Sequence, residues 1–127
     1  MKLRIRDNSL RFRLTQSEVD TLRMRGIVKS TVNFPGGAKI DYVVEGVSSD
    51  VDATAIFAKN RIELRIPKAT VNEWADSNQV SIKSDETLDD DNVLTLLLEK
   101  DFECLAPREG EDESDMFPHP NDGQETC

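Results

Sequence analysis

The chain has 127 residues, 37% of them hydrophobic and 32% charged, with a formal net charge of −9. That size allows one domain with one core, and that charge opposes the approach of nucleic-acid phosphates. The sequence contains no apolar run of about 18 residues that would cross a membrane as a helix, and its two cysteines, Cys104 and Cys127, do not make a disulfide framework.

The opening Met1-Lys2-Leu3-Arg4-Ile5-Arg6 alternates charged with apolar residues in place of an apolar signal core, so a cytoplasmic protein is expected. Leu3 and Ile5 share one face of a first strand. After Asp7-Asn8-Ser9 the pattern resumes, with Leu10, Phe12 and Leu14 opposite Arg11 and Arg13. This predicts a hairpin with one apolar and one basic face. Thr15-Gln16-Ser17-Glu18 then reads as a capping box, in which hydroxyl and carboxylate satisfy backbone N–H groups of the first helical turn. A short helix follows with Val19 and Leu22 inward, stopped by Gly26. Residues 27–34 alternate as a strand, Pro35-Gly36-Gly37 turns the chain, and residues 39–45 run back.

The second half repeats this grammar. When residues 8–26 are laid over 60–78 without gaps, Leu10 meets Ile62, Phe12 meets Leu64, Leu14 meets Ile66, Val19 meets Val71, Leu22 meets Trp74 and Gly26 meets Asn78. Pro67 suits a first helical turn as Thr15 suits a cap, and Asn78 tolerates the left-handed conformation that would stop the helix. Residues 79–83 answer the strand after Gly26, and residues 92–100 answer 39–45 once an acidic loop, residues 84–91, is allowed for. The expected fold is α+β: a duplicated ββαββ unit, about 2–46 and 54–100. About eight mostly antiparallel strands would form a strongly curved or barrel-like sheet with two short helices packed outside. The ten matched residues Leu10, Phe12, Leu14, Val19, Leu22, Ile62, Leu64, Ile66, Val71 and Trp74 are the expected core. Residues 1–104 form the domain and 105–127 an acidic tail.

Charge is segregated along the chain. Residues 1–30 hold eight Lys or Arg against three acids, whereas residues 85–127 hold fifteen acids against Lys100 and Arg108. Lys2, Arg4, Arg6, Arg11 and Arg13, with Lys29 a candidate to join them, would crowd one sheet face, and an anion there would relieve their repulsion. Glu111, Asp112, Glu113 and Asp115 with Phe117 read as a docking segment that joins charge to an apolar anchor. A solvated sheet face and a solubilising tail are the plainer readings of the same residues.

The succession strand, helix, three strands, read from Leu10 and again from Ile62, resembles the CYTH-like triphosphate tunnel enzymes. Their closed sheet encloses a charged channel for polyphosphate and a divalent metal. Those enzymes open on Glu-x-Glu-x-Lys, where this chain has Lys2-Leu3-Arg4-Ile5-Arg6 and Arg11-Phe12-Arg13, so the metal-holding glutamates have no counterpart. The stretches Glu99-Lys100-Asp101-Phe102-Glu103-Cys104 and residues 107–120, with the opening six residues, are similar to a family of small bacterial proteins of unknown function. That resemblance implies a bacterial cytosolic protein and supplies no activity.

Cys104, His119 and Cys127 are suitable zinc ligands by type, but they lie 15 and 8 residues apart, without the close pair such sites use. His119 is the only histidine and has no nucleophile at a readable spacing, and Pro35-Gly36-Gly37 lacks the lysine of a phosphate loop. No catalytic residue, cofactor or metal site is assigned. The expectation is a binding module for a small anion or another protein. A tunnel phosphohydrolase or a metal-binding tail are the alternatives.

Overall fold

The computed structural model describes residues 1–49, 51–102, 115, 117 and 118. Its elements are β1 (Lys2–Arg6), β2 (Ser9–Leu14), α1 (Gln16–Arg25), β3 (Ile27–Asn33), β4 (Lys39–Val47), β5 (Thr54–Ala58), β6 (Arg61–Pro67), α2 (Lys68–Ala75), β7 (Ser81–Thr87) and β8 (Val93–Lys100). Single 3-10 turns, Pro35–Gly37 and Asp89–Asp91, link β3 to β4 and β7 to β8.

These strands form two four-stranded sheets, β1-β2-β8-β7 and β3-β4-β6-β5, and neither closes. The expected single curved or barrel-like sheet is therefore wrong. Its error has a physical cause: alternation fixes which face a side chain takes, not which strand lies beside it. Each helix carries the chain from one sheet to the other, so every hairpin ladder ends after two strands and finds its neighbour in the other half of the sequence. The β1–β2 hairpin joins the β7–β8 hairpin through the parallel pair β2/β8, with Phe12 opposite Leu98. In the second sheet β4 and β6 are the parallel pair, with Val44 opposite Leu64.

Both sheets and both helices feed one core. Phe12, Leu14, Ile82, Leu96 and Leu98 enter it from the first sheet, and Val28, Val44, Leu64 and Ile66 from the second. Val19 and Leu22 of α1 and Val71 and Trp74 of α2 belong to the same cluster, so the helices are part of the core and not an outer layer on a barrel. Burying each such side chain contributes about 1.5–3 kcal/mol. Of the ten expected core residues, Leu10 and Ile62 are only partly buried. They face Ile5 and Phe57 in register, near the hairpin turns, where the strands run past the core and leave Ile5 61% and Phe57 74% exposed.

At the start of α1 the Glu18 carboxylate accepts from the Thr15 N–H at 2.9 Å, and at its end Gly26 takes φ 82° and donates to Leu22 O at 2.9 Å. The second helix ends differently. Asp76, at φ −89°, closes it with a bond to Asn72 O, and Asn78 lies beyond the end without a positive φ. The expected acidic loop is also shorter than read, because residues 84–87 belong to β7 and pair with residues 93–96 of β8. Those polar residues stay in a strand because their partners exist. Glu86 accepts from Thr54 Oγ1 at 2.8 Å and from the Ala55 N–H at 3.1 Å, tying β7 to the edge strand β5.

Candidate anion-binding face and lysine cleft

Register places Lys2 opposite Arg13 and Arg4 opposite Arg11, so Lys2, Arg4, Arg6, Arg11 and Arg13 share the outer face of the first sheet. On that face β8 contributes Thr95, Leu97 and Glu99, and β7 contributes Lys83 and Asp85. Lys29, a candidate for the same face, is instead on β3 of the second sheet, where it stands 3.6 Å from Asp41. The Asp41 carboxyl is held below its ordinary value by the Thr31 hydroxyl at 2.6 Å and, more weakly, by Lys29.

The counter-charge is uneven. Glu99 Oε1 lies 3.2 Å from Arg11 Nε and 3.3 Å from Arg13 Nε, one carboxylate between two guanidinium groups. Asp101 follows β8 at the helix-proximal end, where Lys2 Nζ stands 3.5 Å from its Oδ2. That oxygen is buried and receives no hydrogen bond among the described residues. Arg4 and Arg6 are exposed and pair with no carboxylate among the described residues. The arginines without a carboxylate partner among the described residues, Arg4 and Arg6, therefore lie toward the β1–β2 turn, which also carries Asp7, and on the same side as Thr95 and Leu97 of β8.

Of the expected docking segment, Asp115 and Phe117 are described, and Glu111, Asp112 and Glu113 lie outside the described residues, as do Cys104, His119 and Cys127. Asp115 meets the start of α1 and not an arginine. Its carboxylate accepts from the Ser17 N–H at 3.1 Å and from the Ser17 hydroxyl, and its carbonyl accepts from the Gln16 N–H at 2.8 Å. The Ser17 hydroxyl, and then that of Thr15, hold the Asp115 carboxyl below its ordinary value of 3.8. Phe117 donates its N–H to Asp101 O at 2.8 Å, and its ring packs edge-on against Phe102 at 5.6 Å.

Two features escaped the sequence reading. Lys100 is 94% buried at the floor of a cleft of about 470 Å³ walled by Phe102, Phe117 and Val80. Its ammonium donates to Ser77 O at 2.7 Å and lies 5.7 Å from the Trp74 ring centre and 5.4 Å from that of Phe117. Burial lowers its pKa. The signal was present in the sequence, since Lys100 continues the inward series Leu94, Leu96 and Leu98. The second feature is a carboxyl pair on the outer face of the second sheet. Glu45 and Glu63 share a hydrogen bond that raises the Glu45 pKa and lowers that of Glu63, and Arg61 and Arg65 stand 3.6 and 3.5 Å from Glu63. Only the β4/β6 pairing brings these two together, so no linear pattern reveals them.

No group of three or more His, Cys, Asp or Glu is arranged to hold a metal among the described residues, and no helix described is long and apolar enough to cross a membrane. A family model described as a family of unknown function (DUF7009) matches residues 1–121. No curated protein and no solved structure matches the chain.

Proposed function

We propose that this chain, which belongs to that family of unknown function, is a binding module that takes an anionic group on the outer face of β1 and β2. Arg4 and Arg6 are the first contacts, and Lys2, Arg11 and Arg13 supply the surrounding field. The observation that carries the reading is the uneven pairing on this face: Glu99 and Asp101 stand beside Lys2, Arg11 and Arg13, and the arginines toward the turn keep their charge exposed. On a chain of net charge −9, a cationic face is a local exception that attracts anions at short range. A tunnel hydrolase would need a closed sheet, and the two sheets are separate.

The acidic tail is the tethered competitor for this face in the same proposal, through Glu111, Asp112 and Glu113. Support comes from Phe117, which is bonded to Asp101 beside Lys2 and so brings the chain to the edge of the face. We also take the chain as a duplicated ββαββ unit. Renaming β1–β4 as β5–β8, and the reverse, turns the strand order of one sheet into that of the other, parallel pairs included. A bacterial, cytoplasmic setting belongs to the proposal as well and rests on the resemblance of residues 99–104 and 107–120.

Titration calorimetry with inorganic tripolyphosphate tests the binding face. In dilute salt the Arg4→Gln/Arg6→Gln double variant is expected to lose about tenfold in affinity, and raising the salt is expected to weaken the wild type more than the variant. An exposed arginine away from the face, Arg25→Gln, serves as control. Equal affinity in wild type and double variant would remove the proposal.

A further inference from the structure

We propose that the cleft over Lys100 binds a small carboxylic acid with an apolar or aromatic body, its carboxylate on the Lys100 ammonium and its body against the touching rings of Phe102 and Phe117. The site lies on the inner side of the first sheet, behind the basic face, and is independent of it. An ammonium has three N–H donors, and Lys100 spends one on Ser77 O at 2.7 Å. The rings of Trp74 and Phe117 lie near the charge with their electron-rich faces, which attract a cation but do not replace an acceptor atom. No carboxylate of the described residues is paired with Lys100, although the residues on either side, Glu99 and Asp101, are acidic. Those two alternate onto the opposite face of the sheet, where they serve Arg11, Arg13 and Lys2.

Packing alone does not call for this lysine. The place equivalent to Lys100 in the second sheet is Gly46. Lys100 faces Leu14 across β2/β8 as Gly46 faces Ile66 across β4/β6, and Lys100 N–H bonds to Val80 O as Gly46 N–H bonds to Gly26 O. At Gly46 the start of α2 fills the space, with Lys68 Cγ 3.4 Å from where a Cβ would stand. At Lys100 the space is a cleft of about 470 Å³, open to solvent and covered in part by Phe117 and Pro118. A methionine of similar reach would fill the floor without the cost of desolvating a charge. The cation is explained by a ligand that repays this cost.

The walls define the class of ligand. Among the described lining residues Ala75, Val80, Phe102, Phe117 and Pro118 are apolar and Ser77 and Asn78 are polar, and a cleft of about 470 Å³ has room for a body of at least one ring. A single ammonium matches one negative charge. A phosphate dianion calls for a second cation, and Lys100 is the only cationic residue among the described residues that line the cleft.

Phenylacetate is the probe, with phenylacetamide as its uncharged isostere, titrated into the full chain and followed by NMR. Phenylacetate is expected to shift the Val80 methyl and the Phe102 and Phe117 ring signals, with the amide weaker by about tenfold. Lys100→Met should bind acid and amide alike, and Arg4→Gln/Arg6→Gln should keep the preference for the acid. The wild type offers a second measurement that does not depend on the variant folding. The Lys100 side-chain titration midpoint should rise when phenylacetate is present, because a carboxylate favours the charged form. Equal binding of acid and amide, shifts confined to β1 and β2, or an unmoved Lys100 midpoint would each overturn the assignment.

Discussion

Glu99 on the first sheet and Glu45 on the second occupy matching places, each opposite an arginine across a parallel strand pair: Arg13 for Glu99 and Arg65 for Glu45. Two residues earlier along β2 and β6 the match fails, because Arg11 stands on one sheet and Glu63 on the other. On the first sheet a lone carboxylate is shared by two guanidinium groups. On the second, two carboxyls meet, and the pair settles with the proton favoured on Glu45 and the charge on Glu63 between Arg61 and Arg65. A single position thus separates a face where two guanidinium groups share a carboxylate from one where Glu45 takes up a proton more readily than an ordinary carboxyl. Beneath the second network Val43 is fully buried although it points outward, because the stems of long charged side chains can cover apolar surface while their heads stay wet.

The largest test of how alike the two halves are lies in the core. Trp74 and Leu22 hold corresponding helix positions, with 0% and 1% of their surface exposed. Trp74→Ala should cost about 3–5 kcal/mol and Leu22→Ala about 2–5 kcal/mol in denaturant titrations. A Trp74→Ala loss below about 1 kcal/mol would show that the indole, which also donates to Val80 O at 3.0 Å, does not anchor its half.

The next effect concerns Lys100 against Gly46. Burial lowers the Lys100 pKa below its ordinary value of 10.5, so between the two values the native state binds fewer protons than the unfolded state. Stability of the wild type should therefore rise as pH climbs through that interval. Lys100→Met should abolish the rise and add about 1 kcal/mol at neutral pH, since an apolar side chain carries no desolvation cost. A wild-type profile that is flat from neutral to alkaline pH would show that the ammonium is well solvated or paired.

What the sequence disclosed was the facing of residues. Leu10, Phe12 and Leu14 against Arg11 and Arg13 place a hairpin with an apolar and a basic side, and Thr15, Glu18 and Gly26 bound α1 correctly. Neighbours were not disclosed. That β2 pairs with β8 and β4 with β6 depends on side chains far apart in sequence meeting in one core, and apolar alternation is the same for every candidate partner. The site followed the same rule. The basic face arises within one hairpin and could be read, whereas Glu45 with Glu63, and Lys100 with Ser77 and Phe117, exist only after long-range pairing.

A smaller effect separates the two outer faces by pH. Glu45 takes a native pKa above its ordinary 4.5, chiefly through its hydrogen bond to Glu63. The native state therefore holds that proton more tightly than the unfolded chain, and this contribution to stability is lost as pH rises from 4.5 through the raised value. Glu63 has the opposite sign: its lowered pKa favours the folded state above 4.5, and that contribution fades as pH falls through the native value. Glu63→Gln offers Glu45 an amide donor in place of a competing carboxylate, so the Glu45 midpoint should drop in a carboxyl-carbon NMR titration. An unmoved Glu45 midpoint would mean that the two carboxyls do not share a proton in solution.

The smallest effect is local and decides how the described tail residues are held. Asp115 meets α1 twice, its carboxylate on Ser17 and its carbonyl on the Gln16 N–H, while Phe117 is held separately by Asp101 O and the Phe102 ring. The first turn of a helix leaves its N–H groups without intrahelical acceptors, and a carboxylate there also meets the positive end of the helix dipole. Asp115→Ala removes the carboxylate but keeps the carbonyl. If Phe117 holds the segment independently, the Ser17 amide should exchange faster in the variant while the Gln16 amide keeps its protection. Phe117→Ala should expose both, because the remaining polar contacts lie at the surface and compete with water. Because the Asp115 pKa is lowered, its part of this protection is fully present above 3.8 and should vanish as pH falls through the native value, with Ser17 responding before Gln16. Loss of Gln16 protection in Asp115→Ala would show that the carboxylate, and not the ring, fastens the tail to the domain.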